Sequence, residues 1–252
     1  MKIVRFSYNE QVKYGIMTGN AVCAIEGSPF DTFKETDRYY LLNEIKLLAP
    51  CLPYKIVALG VNYRSHGKEM NHKPPSEPLI FLKPSTSVIG PDDKIVYPPS
   101  SKKVDYEGEL GVVIKSITQG VSKADAKNYI LGYTCVNDVT ARDLQAKDVQ
   151  WTRSKSFDTF CPIGPCIETE LDPAKLSLET ILNGKVKQKA STSQLIFKVP
   201  ELVSFISNIM TLLPGDVIAT GTPEGIGSMQ PDDVVEVKIE GIGTLRNTVT
   251  KA

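Results

Sequence analysis

Histidine is nearly missing from this chain of 252 residues, which has two, His66 and His72. Imidazole chemistry, whether proton transfer or zinc ligation, is therefore confined to one short segment. Cysteine is scarce as well: Cys23, Cys51, Cys135, Cys161 and Cys166 form an odd set without a Cys-x-x-Cys pair. That argues against a disulfide framework and a thiolate zinc site, and for reduced thiols in the cytoplasm. Neither charge predominates. Lys+Arg and Asp+Glu both number 29, so nothing suggests a nucleic-acid partner or an anionic membrane. No apolar run approaches the roughly 18 residues needed to span a bilayer. Met1 to Asn20 alternates charged and apolar residues and lacks the core of a signal peptide. No G-x-S-x-G elbow occurs, which argues against a serine hydrolase.

What is present is ordinary for a soluble globular protein, 41% hydrophobic and 23% charged. The length suits one large domain with a small appendage. Residues 1–53 read as a small β-rich N-terminal subdomain. Its strands are Lys2–Phe6, Tyr14–Thr18 and Ala21–Ile25, with a helix over Leu41–Leu48 and an end near Pro50-Cys51-Leu52-Pro53. Residues 54–252 form the main body, opened by the buried strand Tyr54–Gly60. Seven prolines between Pro74 and Pro99 predict an ordered loop holding one short strand, Leu79–Leu82. Ser122 can cap a short helix over Lys123–Tyr129. Asn183-Gly184 signals a hairpin, and Pro200–Met210 carries helical periodicity. Strands follow at Asp216–Thr220, Val234–Ile239 and Gly243–Thr250. Many short strands with few helices predict a β-rich α+β fold and not a doubly wound sheet.

The chemistry concentrates in Val104–Ile114, V-D-Y-E-G-E-L-G-V-V-I. On a strand Asp105, Glu107 and Glu109 would share one face, about 7 Å apart in sequence order. Burying such carboxylates unpaired costs several kcal/mol or more, so a hard divalent cation is the natural companion. Glu-x-Glu also occurs on exposed strand faces, but Leu110–Ile114 is too apolar for an edge. Asp138, at the end of the strand Leu131–Asn137, suits a third ligand, and equally a turn or helix cap. His66 and Glu69 would share one face of a helix, where the carboxylate fixes the imidazole tautomer and makes it a base. A surface His–Glu pair has the same spacing. His66, Glu69 and His72 could ligate zinc, but Pro74-Pro75 opposes a regular helix through His72. Lys155 lies in a segment of mixed charge and aromatics. It could hold a substrate carboxylate or enolate, or be a solvated surface lysine. Thr220–Gly227 is a glycine-rich loop whose spacing is neither a dinucleotide fingerprint nor a phosphate loop.

Singly these signals are weak; their order is specific. N-Y-R-S-H-x-x-E is followed by F-L-K-P-S, D-Y-E-G-E-L, N-D-V-T-A-R-D-L-Q, S-K-x-F-D-T-F-C-P-I-G-P and L-x-P-G-D-V-I-x-T-G-T-P-x-G-I-G. From about Ile56 to Val249 the chain resembles the fumarylacetoacetate hydrolase family. The resemblance implies a mixed β-sandwich/β-roll core, a homodimer, and Mg2+ or Mn2+ held by Glu107, Glu109 and Asp138. It implies a catalytic dyad of His66 and Glu69, with Lys155 on the substrate's oxygens beside the metal. Thr222, with Gly221 and the surrounding loop, would bind a carboxylate or oxyanion. Arg142 and Gln145 would be substrate or supporting contacts, and Asp105 a supporting residue. Family substrates are small 2-oxo acids or 1,3-dicarbonyls, converted through an enolate. The first expectation is C–C hydrolysis of an acylpyruvate-type substrate. Oxaloacetate decarboxylation, isomerisation of a hydroxymuconate-type diacid (2-hydroxyhepta-2,4-diene-1,7-dioate), and metal and oxo-acid binding without turnover are the alternatives. Arg64 stands where many members carry a small residue, and a cation there could recognise a second carboxylate.

Overall fold

The computed structural model describes residues 1–71 and 73–252. Its frame is a 12-stranded sheet. The main path runs Phe33–Leu41, Ala21–Gly27, Gln11–Thr18, Lys2–Tyr8, Cys161–Glu168, Ile130–Asn137, Gly108–Ile114, Val217–Ala219, Lys55–Leu59 and Ile80–Pro84. A 5-stranded sheet (Lys185–Ser191, Ser177–Leu182, Val234–Ile239, Gly243–Lys251, Lys94–Tyr97) and a 3-stranded one (Thr140–Ala141, Val104–Tyr106, Gly227–Met229) complete it. The helices are short: α1 Arg64–Glu69, α2 Arg142–Gln145, α3 Thr152–Lys155 and α4 Val199–Ser207. The predicted β-rich α+β fold is therefore observed. Among the described residues no helix is long and apolar enough to cross a membrane.

The strand Gly108–Ile114 is buried along its whole length. Its alternation sends Leu110, Val112 and Ile114 into one core cluster and Val113 into another. Glu109 is thus on the Val113 face, whose cluster includes Ala58, Val136 and Cys161. The Asn183-Gly184 turn forms as predicted, both residues at positive φ (50° and 73°), joining Ser177–Leu182 to Lys185–Ser191.

Four local expectations are corrected. Leu41–Leu48 is not a helix: a 3-10 turn at Leu42–Glu44 leads into the strand Lys46–Leu48, paired with Lys2–Tyr8. Sheet pairing that packs Leu47 on the core outweighs a weak local helical preference. The segment Phe33–Leu41 was not expected as a strand. Its charged residues are largely exposed because it is the last strand of the sheet. The proline-dense stretch holds three short strands, Ile80–Pro84, Val88–Ile89 and Lys94–Tyr97, with prolines at their ends or between them. Ser122 accepts from the Asp125 backbone N–H, but only a 3-10 turn, Ala126–Tyr129, follows.

All five cysteines are buried and free. Burial pushes the Cys51, Cys161 and Cys166 thiols up to about 12 and raises Cys135 as well. In the folded protein at about pH 8 these four thiols should resist a disulfide reagent that labels the denatured chain fully. Rapid native labelling of any of them would overturn this assignment as packing groups.

Candidate active site

The site begins where the strand of carboxylates breaks. Val104–Tyr106 belongs to the small sheet and Gly108–Ile114 to the large one, with Glu107 at the junction. There the Glu107 N–H donates to Asn137 Oδ1 (3.0 Å) and the Gly108 N–H to Gln188 Oε1 (3.0 Å), so side chains replace ladder partners. A Cβ at position 108 would collide with Thr180 Oγ1, which explains the glycine between the glutamates. The break also separates the three acids predicted to share a face. Asp105 is not gathered with Glu109: it shares the Arg142 guanidinium with Glu107, accepting from Nε (2.8 Å), and accepts from Ser228 Oγ (3.0 Å). Asp138 joins Glu107 and Glu109 instead. Its N–H donates to the Glu107 carbonyl (2.8 Å). One oxygen from each of Glu107, Glu109 and Asp138 lies within 4.8 Å of the others, all buried.

Three cations face this cluster. Lys155, on α3, donates to Glu107 Oε2 (2.9 Å) and Asp138 Oδ2 (2.6 Å), 5.1 Å from the centroid of the Phe81 ring. Lys83 donates to Asp138 Oδ1 (2.6 Å) and the Val139 carbonyl (3.2 Å). Arg142 pairs with Glu107 Oε1 and Asp105, and its third nitrogen donates to Gln145 Oε1 (2.6 Å). Sequence reasoning gave Lys83 no role. The available signal was a lysine in an otherwise apolar strand, since a buried lysine needs an anionic partner.

These ions set one another's protonation. Burial pushes the Glu107 carboxyl up, but Lys155 and Arg142 outweigh it and hold it well below the carboxylate range. Burial disfavours the Lys155 ammonium, yet Asp138 and Glu107 keep it charged and raise it. Glu109 goes the other way. Burial, then Asp138 and Glu107, push its carboxyl up, against Lys155 and the Gly221 N–H. Four buried carboxylates thus meet three cations, and the deficit falls on Glu109. Its Oε2 accepts from the Gly221 N–H (2.7 Å), and its buried Oε1 has no partner among the described residues. An all-oxygen cluster with one unpartnered carboxylate oxygen fits a hard divalent cation.

The dyad forms as the spacing predicted. His66 and Glu69 lie on α1, with Nδ1 and Oε2 3.0 Å apart. His66 is buried and Glu69 partly exposed. Asn62, fully buried, anchors the segment entering α1. Its Nδ2 donates to the Thr220 (2.7 Å) and Phe197 (3.1 Å) carbonyls, and its Oδ1 accepts from the Phe197 N–H (2.7 Å). His72, the third member of the zinc alternative, lies outside the described residues. A cavity of about 390 Å³ brings together His66, Glu107, Lys155, Arg142 and Gln145, walled by Phe81 and Trp151. A larger recess of about 900 Å³, between Leu171 and Val199, contains none of them. Two residues expected to contact substrate are hydrogen-bonded within the protein. Thr222 Oγ1 donates to the Gly108 carbonyl (3.0 Å) and accepts from Gln188 Nε2 (2.8 Å), and the Gly221 N–H is on Glu109. Arg64 is exposed on α1 and is not among the cavity's walls.

Comparison with known proteins gives concordant matches. A family model described as fumarylacetoacetate (FAA) hydrolase C-terminal matches residues 55–250, and one described as Rv2993c-like, N-terminal matches residues 1–50. The mitochondrial oxaloacetate tautomerase Fahd2a of Rattus norvegicus is 39% identical over 82% of this chain and 70% of its own length. The structure of 5-carboxymethyl-2-hydroxymuconate delta-isomerase from Mycobacterium smegmatis matches with a TM-score of 0.95 and 44% identity, covering 100% of both chains. That of maleylpyruvate hydrolase from Sphingobium sp. SYK-6, in complex with manganese(II) and pyruvate, matches with a TM-score of 0.84 and 28% identity, again covering both chains fully.

Proposed function

The chain belongs to the fumarylacetoacetate hydrolase family, and from that premise we propose a divalent-metal enzyme that hydrolyses the C–C bond of a small acylpyruvate through its enolate. One observation carries the reading: His66, whose Nδ1 lies 3.0 Å from Glu69 Oε2, borders the same small cavity as Glu107 and Lys155. On this reading a base, a cation and a metal-binding acid would surround one substrate-sized space.

Glu107, Glu109 and Asp138 would hold Mg2+ or Mn2+. Bound there, the ion supplies Lewis-acid polarisation of a substrate carbonyl. Lys155 places two protons on Glu107 and Asp138, and its third donor is available to a substrate oxygen as enolate charge develops. Glu69 holds Nδ1 of His66, leaving Nε2 as the base. His66 takes a proton from water, and the hydroxide adds to the carbonyl carbon distal to the 2-oxo acid. The C–C bond breaks with its electron pair on the pyruvate fragment, as enolate. The imidazolium returns the proton to the enolate's terminal carbon, which becomes the pyruvate methyl, giving pyruvate and a carboxylic acid.

A second reading has its own support. The tautomerase and isomerase relatives, at 39% and 44% identity, stand nearer than the hydrolase at 28%. The same dyad would then move a proton between carbon and oxygen of an enolisable diacid, with no attacking water. Pyruvate release from acylpyruvates and oxaloacetate, with Mg2+ or Mn2+ and with EDTA, separates the cases when enol absorbance is followed in parallel. Metal-dependent release from acylpyruvates supports hydrolysis. Release from oxaloacetate alone indicates decarboxylation, and loss of enol absorbance without pyruvate indicates tautomerisation. A protein silent in all three assays would sink the enzymatic reading for this substrate class.

Arg64 is exposed and lies outside the cavity's walls, so Arg64→Ala should leave KM for diacids and for monoacids within about twofold, the usual scale of a surface substitution. A larger rise in KM confined to diacids would instead make Arg64 a substrate contact.

A further inference from the structure

The proton-transfer dyad and the metal-binding strand are joined by a path that uses the backbone of one glycine. Tyr106 sits between Asp105 and Glu107 on Val104–Tyr106 and is 2% exposed. Its hydroxyl donates to the Gly225 carbonyl (3.0 Å). The Gly225 N–H donates to Glu69 Oε1 (3.0 Å), and Glu69 Oε2 is the oxygen on His66 Nδ1. Gly225 has φ +96°, and a Cβ there would run into the Lys187 carbonyl. The two peptide units flanking Gly225 are therefore each held by one polar group, and the residue between them is fixed in its conformation. Without that hold, the partly exposed Glu69 side chain could swing into water and leave the imidazole alone.

We propose that Tyr106 is a positioning residue for the His66–Glu69 dyad, acting through the Gly225 backbone. The hydroxyl sets the loop, the loop aims the carboxylate, and the carboxylate orients the ring. Because Tyr106 precedes Glu107 directly, the path also registers the dyad against the metal-binding acids. The same loop is tied at its other end, where the Thr220 carbonyl holds Asn62 and the Gly221 N–H holds Glu109. Both flanks of α1 thus hang on one loop. The inference deepens the function proposed above and rests on its assignment of the dyad.

Tyr106→Phe keeps the ring, which packs with Val104, Phe160 and Met229, and removes the hydroxyl alone. It should lower kcat about tenfold with KM within about twofold, the scale of a lost supporting contact. The Mn2+ affinity of the variant, measured by calorimetry, should not change. In a Glu69→Gln background, Tyr106→Phe should add no further loss, because its effect passes through Glu69. A readout independent of turnover is the His66 ring signal in NMR, isolated by His72→Gln, since the chain has only two histidines. That signal should shift in Tyr106→Phe. An unshifted signal with unchanged kcat, multiplicative losses in the double variant, or a parallel loss of Mn2+ affinity would each overturn the proposal. A shifted ring signal in a protein that turns over no substrate would uphold the coupling while removing the reaction proposed above.

Discussion

Mn2+ at a hundredfold excess over its Kd should raise the unfolding temperature of the chelator-treated protein by about 5–10 °C, and Glu109→Gln should erase that rise. The size follows from linkage: such an excess stabilises by about 2.7 kcal/mol, and each kcal/mol moves a chain of this length by about 2–4 °C. Glu109 is the sensitive position because the cations already in the site do not satisfy it. Lys83 and Lys155 serve Asp138, and Arg142 and Lys155 serve Glu107. Among the described residues Glu109 has one backbone N–H on Oε2 and nothing on Oε1. A glutamine keeps a carbonyl oxygen for the Gly221 N–H but puts an amide donor where the free oxygen was. It also removes a charge that burial, Asp138 and Glu107 all oppose. Metal-free Glu109→Gln should therefore unfold at or above the wild-type temperature, while its response to Mn2+ disappears. A scan of both proteins with EDTA, Mg2+ and Mn2+ tests both halves. A wild type indifferent to both ions would leave the carboxylates as part of a structural ion network only.

Much of this site was legible in the sequence because its residues stand in runs whose local structure is strongly fixed. Glu109 heads an apolar run that can only be an interior strand, so its burial followed from its neighbours. His66 and Glu69 are three apart in a segment that does form a helix, and local spacing was enough. Asp105 stands outside the acid cluster, although alternation puts it on the same face, because period-two alternation assumes an unbroken strand. The break at Glu107 is made by Asn137 and Gln188, distant in sequence, and no local rule sees them. Lys83 was passed over for a related reason. Its partner Asp138 is 55 positions away, and only the tertiary fold pairs them. In the N-terminal region, Lys46–Leu48 carries no strong period of its own and becomes a strand because Lys2–Tyr8 offers an edge. Thr222 shows the remaining limit. Its place in a glycine loop was clear, but its hydroxyl is engaged by Gly108 and Gln188.

His66→Ala should cost about a thousandfold in kcat for acylpyruvate hydrolysis, within the range for general-base catalysis, with little change in Mn2+ affinity. The ring makes no hydrogen bond to Glu107, Glu109 or Asp138 among the described residues; its one partner there is Glu69. Removing it would delete the proposed base without dismantling the acid cluster. Glu69→Gln should cost less, about tenfold to a hundredfold, because the ring remains but loses its orienting carboxylate. Oxaloacetate then separates the mechanisms within one protein. Decarboxylation needs an electron sink and no attacking water. The acid cluster, its ion and Lys155 would suffice, so any decarboxylase activity should survive His66→Ala far better than hydrolysis does. Tautomerisation of the same substrate moves a proton to or from carbon and should fall with hydrolysis. If all three activities persist in His66→Ala at wild-type rates, the base lies elsewhere in the cavity. The assignment of His66 then fails while that of the metal-binding acids stands.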